Sequence, residues 1–443
     1  MAGYKAAFTC SATFNGGKQW KMIKKDELTG IRTDYRQYFI ELPDAEINQK
    51  EKFVSAWYSD EMPPRYAVWR PGLGCSQLPT GATLDARQHI ASVNLVHART
   101  SDVKPWPFGD GFPGDRDPGS GSNASVALNA VIDDAFTTNK YGDPNVMSAA
   151  LVTTADTLLV ERYKQGYTPF TSQRTWSTAK SVASTVIGVA VEQGVVDVKA
   201  PANIPEWSSP GDPRQTITLE NLLHMASGLN STTEGHRTSY VYFGGGLVTD
   251  NATEKMLEAP PGKRWKYANN DTLLAIRSLK ATLGEREKML RYPFENLFWK
   301  IGMYNTVPET DWQGNFVMSS QVWTTSRDLG RLGILYLNDG VWDGERVLPK
   351  GWRDYVRKPA PSQPPLTKAD GSPAPGYGAQ FWLFPSRFPG MPQDAFSSMG
   401  NRGQYMMVIP SRNLVIVRRG YDSADGPRFD IAEFSADILS ALE

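Results

Sequence analysis

A serine and a lysine stand three positions apart, at Ser177 and Lys180, in a stretch whose composition favours a helix. The small and β-branched residues after Lys180 continue without proline as far as Gly194, which is typical of a helix end. The two side chains are therefore expected one turn apart on one helix face. A serine hydroxyl becomes a good nucleophile when a neighbour takes its proton, and a desolvated, neutral lysine can do so. The plainer alternative is a helix-capping serine beside a solvated lysine.

Two later segments carry further groups of interest. Tyr267 and Asn269 form a Tyr-x-Asn pair in a turn-rich stretch, directly before the apolar residues 273–276. Near the C-terminus, the segment 398–410 is rich in glycine at its start and apolar afterwards, which indicates the beginning of a strand. The order along the chain is therefore Ser-x-x-Lys, then Tyr-x-Asn, then a glycine-rich strand.

This order and spacing resemble those of the serine β-lactamase and penicillin-recognising superfamily. Residues 222–229 look like its Leu-Leu-x-His-Thr-Ser-Gly-Leu segment, and residues 325–340 look like its Arg-Asp-Leu helix. The resemblance covers about residues 123–443 and is greatest with the class C-like branch, which includes esterases, D-amino-acid peptidases and 6-aminohexanoate-dimer hydrolases. It implies a serine hydrolase that cleaves an ester or amide through an acyl-enzyme on Ser177, with no cofactor.

The resemblance also implies a role for each residue of the Tyr-x-Asn pair. Tyr267 would move a proton between Ser177 and the leaving group, together with Lys180. We expect this task to require a tyrosine pKa lowered by a neighbouring cation such as Lys180. Asn269 would hold Lys180 or a substrate carbonyl by hydrogen bonds. The plainer alternatives are a half-buried tyrosine and a turn-forming asparagine.

The glycine-rich segment would supply the rest of the site. Gly403 permits close backbone approach, so the amides of Ser177 and Gln404 would form an oxyanion hole. Asn401 or Arg402 would lie beside the leaving group or a substrate carboxylate, which an arginine can bind with two parallel hydrogen bonds. A solvated charge at a strand end is the alternative for Arg402. Penicillin-specific members have Lys-Thr-Gly or His-x-Gly at this place, so we do not expect efficient β-lactam hydrolysis.

The elements that must position these residues predict a mixed α/β (α+β) fold. Residues 148–163 are expected to form a hairpin, strands are expected again from Tyr377, and a last helix is expected from about Phe429. Strands at both ends of the chain predict one antiparallel sheet flanked by helices, with a mainly helical insertion at about 200–350. The resemblance implies the same β-lactamase/transpeptidase-like fold. We assign residues 1–122 to an N-terminal extension with a Pro/Gly-rich connector, and residues 123–443 to the hydrolase domain.

Composition narrows the choice of partners. The chain of 443 residues carries 47 basic and 47 acidic side chains, so no charge excess favours nucleic acid or an anionic membrane as a partner. No apolar run reaches the roughly 20 residues that a membrane helix requires. Two cysteines and four histidines form no pattern typical of a metal site. The expected partner is a small ester, amide or peptide-like molecule, and the oligomeric state stays open.

The cellular compartment stays open as well. The first residues lack the apolar stretch of a signal peptide, but a mature exported protein would also lack it. The protein is thus periplasmic or secreted if a signal peptide was removed, and cytoplasmic otherwise. Cys10 and Cys75 are two reduced thiols or a disulfide that ties down the N-terminal extension of an exported protein.

Two alternatives to an esterase or amidase remain at this point. The chain could be a penicillin-binding sensor or binding module that is acylated without turnover, although Tyr267 and Asn269 argue against this. It could also be a β-lactamase or a D-amino-acid peptidase of the same superfamily.

Overall fold

The computed structural model describes residues 1–96, 104–110, 126–231 and 240–443. The Pro/Gly-rich connector expected before residue 123 therefore lies mostly outside the described residues. The α-helices are α1 (Ala2–Phe14), α2 (Trp20–Asp26), α3 (Thr33–Glu41), α4 (Val126–Thr137), α5 (Ala179–Glu192), α6 (Leu219–Leu223), α7 (Val248–Ala252), α8 (Asn269–Leu283), α9 (Arg286–Pro293), α10 (Ser326–Leu337), α11 (Trp352–Arg357) and α12 (Ile431–Ala441). The strands are β1 (Glu46–Asn48), β2 (Phe53–Ala56), β3 (Arg65–Arg70), β4 (Gly74–Gln77), β5 (Met147–Thr153), β6 (Leu158–Tyr163), β7 (Gln173–Arg174), β8 (Val307–Pro308), β9 (Val322–Thr324), β10 (Val341–Trp342), β11 (Glu345–Arg346), β12 (Gly376–Tyr377), β13 (Trp382–Phe384), β14 (Ala395–Gly400), β15 (Gln404–Ile409) and β16 (Leu414–Gly420).

The main sheet is antiparallel and joins strands from both ends of the hydrolase domain. Its strand order is β12-β13-β14-β15-β16-β5-β6. The early hairpin of β5 and β6 meets the late strands at β16, where Val417 pairs with Leu151. This arrangement confirms the predicted fold class.

The sheet is buried on both faces, and the alternation along β16 shows why. Val415 and Val417 pack into the apolar core that contains α5 and α10. Leu414 and Ile416 point to the opposite face, into the core that contains α4 and α12. Because both sets of side chains are apolar, the strand can be covered by helices on each side. The helical region between β6 and β12 supplies helices that pack against α5, the helix that carries Lys180.

The N-terminal extension is more ordered than the sequence indicates. It forms α1 to α3 and a four-stranded antiparallel sheet in the order β1-β2-β3-β4. Cys10 of α1 and Cys75 of β4 are joined by a disulfide, which ties the helix to this sheet. The core of the extension includes Trp323 of β9, so the extension packs directly against the hydrolase domain. The boundary at residues 122 and 123 stays a prediction.

Among the helices of the described ranges, none combines the length and apolar character needed to cross a membrane.

Candidate active site

The proposed nucleophile lies in a tight turn that leads into α5. Residues Trp176–Thr178 form a short 3-10 helix directly before α5. Trp176 has a φ of +50°, in the left-handed region that is unfavourable for a bulky residue. Thr178, not Ser177, occupies the N-cap position of α5, and no side chain caps this helix. Ser177 therefore does not act as the helix cap that the plainer alternative assumed.

Lys180 is buried one turn after Ser177. Its side chain is 1% exposed, and burial lowers its pKa to about 7. The amine nitrogen lies 3.3 Å from Ser177 Oγ, 2.6 Å from Asn269 Oδ1 and 2.7 Å from the Ser319 carbonyl oxygen. A substantial fraction of Lys180 is thus neutral at pH 7.

The three contacts of Lys180 orient its lone pair when the amine is neutral. A neutral amine has two N–H donors and one lone pair. Asn269 Oδ1 and the Ser319 carbonyl can only accept, so they take the two N–H groups. The third direction, toward Ser177 Oγ, is left for the lone pair. The amine can therefore accept the Ser177 hydroxyl proton, which is what a general base requires.

Tyr267 meets the same serine from the other side. Its ring centroid lies 5.0 Å from the Lys180 amine, and the Ser177 hydroxyl acts on its pKa as a side-chain hydrogen-bond partner. Burial is the largest influence on its pKa and raises it to about 12, although the Ser177 hydrogen bond opposes this. The expectation that Lys180 lowers the tyrosine pKa is therefore wrong in direction. At neutral pH the phenol keeps its proton and can donate it.

Asn269 is placed by the start of α8. It is the first residue of that helix, two positions after Tyr267, and its Oδ1 accepts the hydrogen bond from Lys180. The structure therefore brings together Ser177, Lys180, Tyr267 and Asn269, which the sequence singled out from two distant segments.

The turn between β14 and β15 lies against the Ser177 turn. β13 pairs with β14 only as far as Ser397, so the last residues of β14 extend beyond it. A Cβ atom at Gly400 would lie 2.1 Å from the Thr175 carbonyl oxygen and 3.1 Å from the Thr178 nitrogen. Only a glycine permits this approach. Asn401 follows it and lines the cleft that contains Ser177.

Gln404 lies behind this turn. The residue is 1% exposed and is not among those that line the cleft. Its carbonyl accepts a hydrogen bond of 2.7 Å from Thr178 Oγ1, and its side chain bonds Arg419 and the Gly420 carbonyl. The role of the Gln404 amide in an oxyanion hole stays a prediction.

Arg402 and Gly403 both have left-handed backbone conformations, with φ of +60° and +79°. The Arg402 guanidinium donates to the carbonyls of Asp26, Tyr421 and Asp422 at 2.5, 3.2 and 3.0 Å. A Cβ atom at Gly403 would overlap the Arg418 guanidinium. Arg402 therefore joins α2 to the strand end after β16, and the solvated charge considered for it is not observed.

The cleft has a volume of about 310 Å³ and opens over Ser177 and Tyr267. Its apolar wall includes Trp382, Met399 and Tyr405. The segment after β16 also lines the cleft, through Asp422, Ser423, Ala424, Pro427 and Arg428. Within the described ranges, no group of histidine, cysteine, aspartate and glutamate side chains has the arrangement of a metal site.

Sequence reasoning missed Arg174, which holds two parts of the site together. Its buried guanidinium lies 3.9 Å from the Trp176 ring centroid and 4.0 Å from the Phe8 ring centroid, so it packs against both rings. Its Nε donates to the Ser320 carbonyl at 3.2 Å, one residue after the carbonyl that binds Lys180. No motif marks this arginine, because its partners come from distant segments.

The N-terminal extension reaches the same place by a second route. Gln77 and Arg65 donate to the carbonyls of Tyr242 and Phe243, and the Tyr242 hydroxyl hydrogen-bonds Ser320 Oγ. The extension therefore contacts both Trp176, through Phe8, and the segment that carries the Ser319 carbonyl. The sequence indicated only that residues 1 to about 80 lie outside the recognised core.

Comparison with known proteins identifies the family. A sequence model of the family described as Beta-lactamase matches residues 145–418, which is more than half of the chain. The chain belongs to the beta-lactamase family. The matched segment of this beta-lactamase family member contains Ser177, Lys180, Tyr267 and Asn269, whereas the N-terminal extension lies outside it.

Several relatives within the superfamily are hydrolases by name. A 6-aminohexanoate-dimer hydrolase from Paenarthrobacter ureafaciens is 23% identical over 394 residues, which are 82% of this chain and 92% of the relative. The structure of a family VIII carboxylesterase is 15% identical, covers 72% of this chain and 98% of its own, and has a TM-score of 0.55. The structure of a D-stereospecific amidohydrolase from Streptomyces sp. is 15% identical. The match covers 71% of this chain and 97% of the amidohydrolase chain, with a TM-score of 0.51. This beta-lactamase family member is, in general terms, a serine hydrolase.

Proposed function

We propose that this protein hydrolyses a small ester or amide through an acyl-enzyme on Ser177. The observation that carries the proposal is the Lys180 amine, 3.3 Å from Ser177 Oγ, with its other two directions taken by Asn269 and the Ser319 carbonyl. A buried lysine with a pKa of about 7 is a suitable general base at neutral pH. The names of the carboxylesterase and amidohydrolase relatives agree with either bond type.

In acylation, the Lys180 amine takes the hydroxyl proton of Ser177 while Oγ forms a bond to the substrate carbonyl carbon. The carbonyl oxygen becomes an oxyanion, which backbone amides stabilise. One amide is that of Ser177. For the second we propose that of Gln404, because its carbonyl accepts a hydrogen bond from Thr178 Oγ1, and the N–H and C=O of one strand residue lie on the same edge.

The leaving group needs a proton, and Tyr267 is placed to donate one. Its phenol is protonated at neutral pH and lines the cleft together with Ser177. When the bond from the carbonyl carbon to the leaving atom breaks, the phenol proton passes to that atom. The proton held by Lys180 then returns to the tyrosine. In deacylation a water molecule gives a proton to this pair and attacks the acyl carbon, and Ser177 Oγ leaves with a proton.

The activity is expected to rise with pH through the Lys180 titration. Below pH 7 Lys180 is an ammonium and its lone pair is absent, so kcat/KM should fall about tenfold for each pH unit well below the pKa of about 7. Above pH 7 the activity should stay level, because Tyr267 keeps its proton until about pH 12. The measurement is kcat/KM for p-nitrophenyl acetate from about pH 5 to about pH 10, with the spontaneous hydrolysis subtracted. Activity that is independent of pH below 7 would contradict Lys180 as the base.

Arg174 is expected to act as a positioning residue. Arg174→Met keeps an unbranched side chain against Phe8 and Trp176 but removes the hydrogen bond to the Ser320 carbonyl. Because small misplacements of reacting groups are costly, we expect kcat to fall roughly 10- to 100-fold with little change in KM. The rising limb of the pH profile should also move, since the Ser319 carbonyl would no longer be held against Lys180.

A matched control is Arg277→Met. Arg277 lies on α8, pairs with Glu206 and is not among the residues that line the cleft. This variant should keep the wild-type kcat and pH profile. An Arg174→Met protein with unchanged kcat and an unchanged profile would show that Arg174 only stabilises the fold.

A further inference from the structure

Gln380 lies in the turn between β12 and β13 and has a strained backbone. Its φ is +67°, in the left-handed region where a glycine fits without strain and a glutamine does not. The residue is 2% exposed and is not among those that line the cleft. Both ends of its side-chain amide therefore need partners inside the protein. Strain of this kind persists only where the surrounding contacts hold the residue in place.

Gln380 joins the two helices that carry Lys180 and Asn269. Its carbonyl accepts a hydrogen bond of 2.7 Å from Ser181 Oγ, and Ser181 directly follows Lys180 on α5. Its Oε1 accepts a hydrogen bond of 2.7 Å from Thr272 Oγ1, and Thr272 lies one turn after Asn269 on α8. Both hydroxyl-bearing residues are buried. The contact between Lys180 and Asn269 spans these two helices, so its length depends on the link through Gln380.

The same side chain also holds the end of α6. Gln380 Nε2 donates to the carbonyls of Leu222 at 3.2 Å and Leu223 at 2.8 Å. The last carbonyls of a helix lack partners further along it, so a buried side-chain donor can bind them. Because a carbonyl can only accept, Nε2 must face α6, and Oε1 then faces the Thr272 hydroxyl. The amide of Gln380 thus connects α6 to α8.

The chain that leaves α6 binds the backbone on both sides of Tyr267. Met225 has a φ of +56°, and its carbonyl accepts a hydrogen bond of 2.9 Å from the Lys266 amide. Its Sδ accepts a second one, of 3.4 Å, from the Ala268 amide. Tyr267 lies between these two amides. The position of the phenol therefore depends on where α6 ends, and Gln380 holds that end.

We propose that Gln380 is a positioning residue, which sets the positions of α5, α6 and α8 relative to one another and so aligns the groups around Ser177. The proposal rests on the proposed function, since this alignment matters only if Ser177 is the nucleophile. Gln380 acts through its neighbours and does not contact the substrate. Because proton transfer requires close contact between Lys180 and the serine hydroxyl, a displacement of about 1 Å can slow the reaction roughly 100-fold.

Gln380→Met tests this role. A methionine has a similar unbranched side chain and the same backbone strain, but it cannot bond the Thr272 hydroxyl or the α6 carbonyls. We expect kcat for p-nitrophenyl acetate to fall roughly 10- to 100-fold with little change in KM. Burial is what lowers the pKa of Lys180, so looser surroundings should raise that pKa and move the rising limb of the pH profile to higher pH.

Thr272→Val is a milder second variant, because it removes only the hydroxyl that bonds Gln380 Oε1. It should cause a smaller loss of kcat. In the double variant with Gln380→Met, the fold-reduction should be less than the product of the two single fold-reductions, since both substitutions break the same contact.

The matched control is Gln215→Met. Gln215 Nε2 also donates to two backbone carbonyls, those of Trp207 and Ser209, and the residue does not line the cleft. This variant should keep the wild-type kcat and pH profile. Each variant is assayed well below its own melting temperature, so that folded proteins are compared.

A Gln380→Met protein with a lower melting temperature but wild-type kcat and pH profile would overturn the proposal, because Gln380 would then only stabilise the fold. If Gln380→Met does not fold, unchanged kinetics in Thr272→Val would overturn it instead. Ser177→Ala separates these results from failure of the proposed function. If Ser177→Ala still hydrolyses p-nitrophenyl acetate, the acyl-enzyme proposal fails and the role of Gln380 fails with it. If Ser177→Ala is inactive and Gln380→Met has wild-type kinetics, only the positioning proposal fails.

Discussion

Ser177→Ala is expected to lower kcat/KM for p-nitrophenyl acetate by roughly 10⁴- to 10⁶-fold, the loss typical of removing a serine nucleophile. The fold should persist, because the Ser177 hydroxyl does not cap α5 and its hydrogen bond with Lys180 is long, at 3.3 Å. The measurement combines steady-state kinetics with thermal unfolding of the same preparation.

Ser184→Ala is the matched control, because Ser184 lies on α5 about two helical turns after Ser177. Its hydroxyl is buried and donates to the Ala379 carbonyl at 3.1 Å, so the variant loses a hydrogen bond of about 1 kcal/mol but no cleft group. We expect a slightly lower melting temperature and wild-type kinetics. A folded Ser177→Ala protein that turns over as fast as the Ser184→Ala protein would show that Ser177 is not the nucleophile.

Lys180→Met is expected to lower kcat/KM by roughly 10²- to 10⁴-fold, the usual contribution of a general base. Methionine fills the apolar volume of the lysine stem but cannot accept a proton. Its replacement also leaves Asn269 Oδ1 and the Ser319 carbonyl without the amine that bridges them. The double variant with Ser177→Ala should be no slower than Ser177→Ala alone, because the two residues act as one unit.

The control for this substitution is Lys280→Met, which removes a partly buried lysine of α8 that bonds Asn315 and does not line the cleft. Full activity in Lys180→Met would contradict the shared role of Ser177 and Lys180. So would a double variant whose fold-reduction in kcat/KM equals the product of the two single fold-reductions.

The main sheet could be predicted because its signal is local. The hairpin of β5 and β6 and the apolar runs of β15 and β16 are visible as alternating or continuous apolar segments separated by turn residues. β14 was not predicted as a strand of its own, since Ser397 and Ser398 interrupt its apolar pattern although both are fully buried. The elements of the N-terminal extension were not predicted, because much of their stability comes from packing against the hydrolase domain and from the disulfide.

The centre of the site could also be predicted, whereas its supports could not. Ser177, Lys180, Tyr267 and Asn269 follow a recognisable order, and the structure places them together. The Ser319 carbonyl has no side-chain signal at all, because the contact uses the main chain. Contacts of this kind depend on the whole fold and leave no local pattern.

Two side chains of the site, Arg402 and Tyr267, show a different limit. A left-handed backbone at Arg402 directs its guanidinium to carbonyls of α2 and of the strand end, which no sequence pattern indicates. For Tyr267, the sequence suggested a neighbouring cation but not the extent of burial, and burial decides the direction of the pKa shift. A lysine that is itself neutralised by burial also lowers a neighbouring pKa less than a full charge would.

The most direct test of the central claim is to isolate the acyl-enzyme during turnover. The protein is mixed with excess p-nitrophenyl acetate, quenched with acid before the substrate is exhausted, and analysed by intact mass and by peptide mapping. We predict one acetyl group on Ser177 that disappears once the substrate is consumed. An acetyl group that persists without turnover would indicate a sensor, and rapid turnover with no acetyl group on Ser177 would contradict the proposed mechanism.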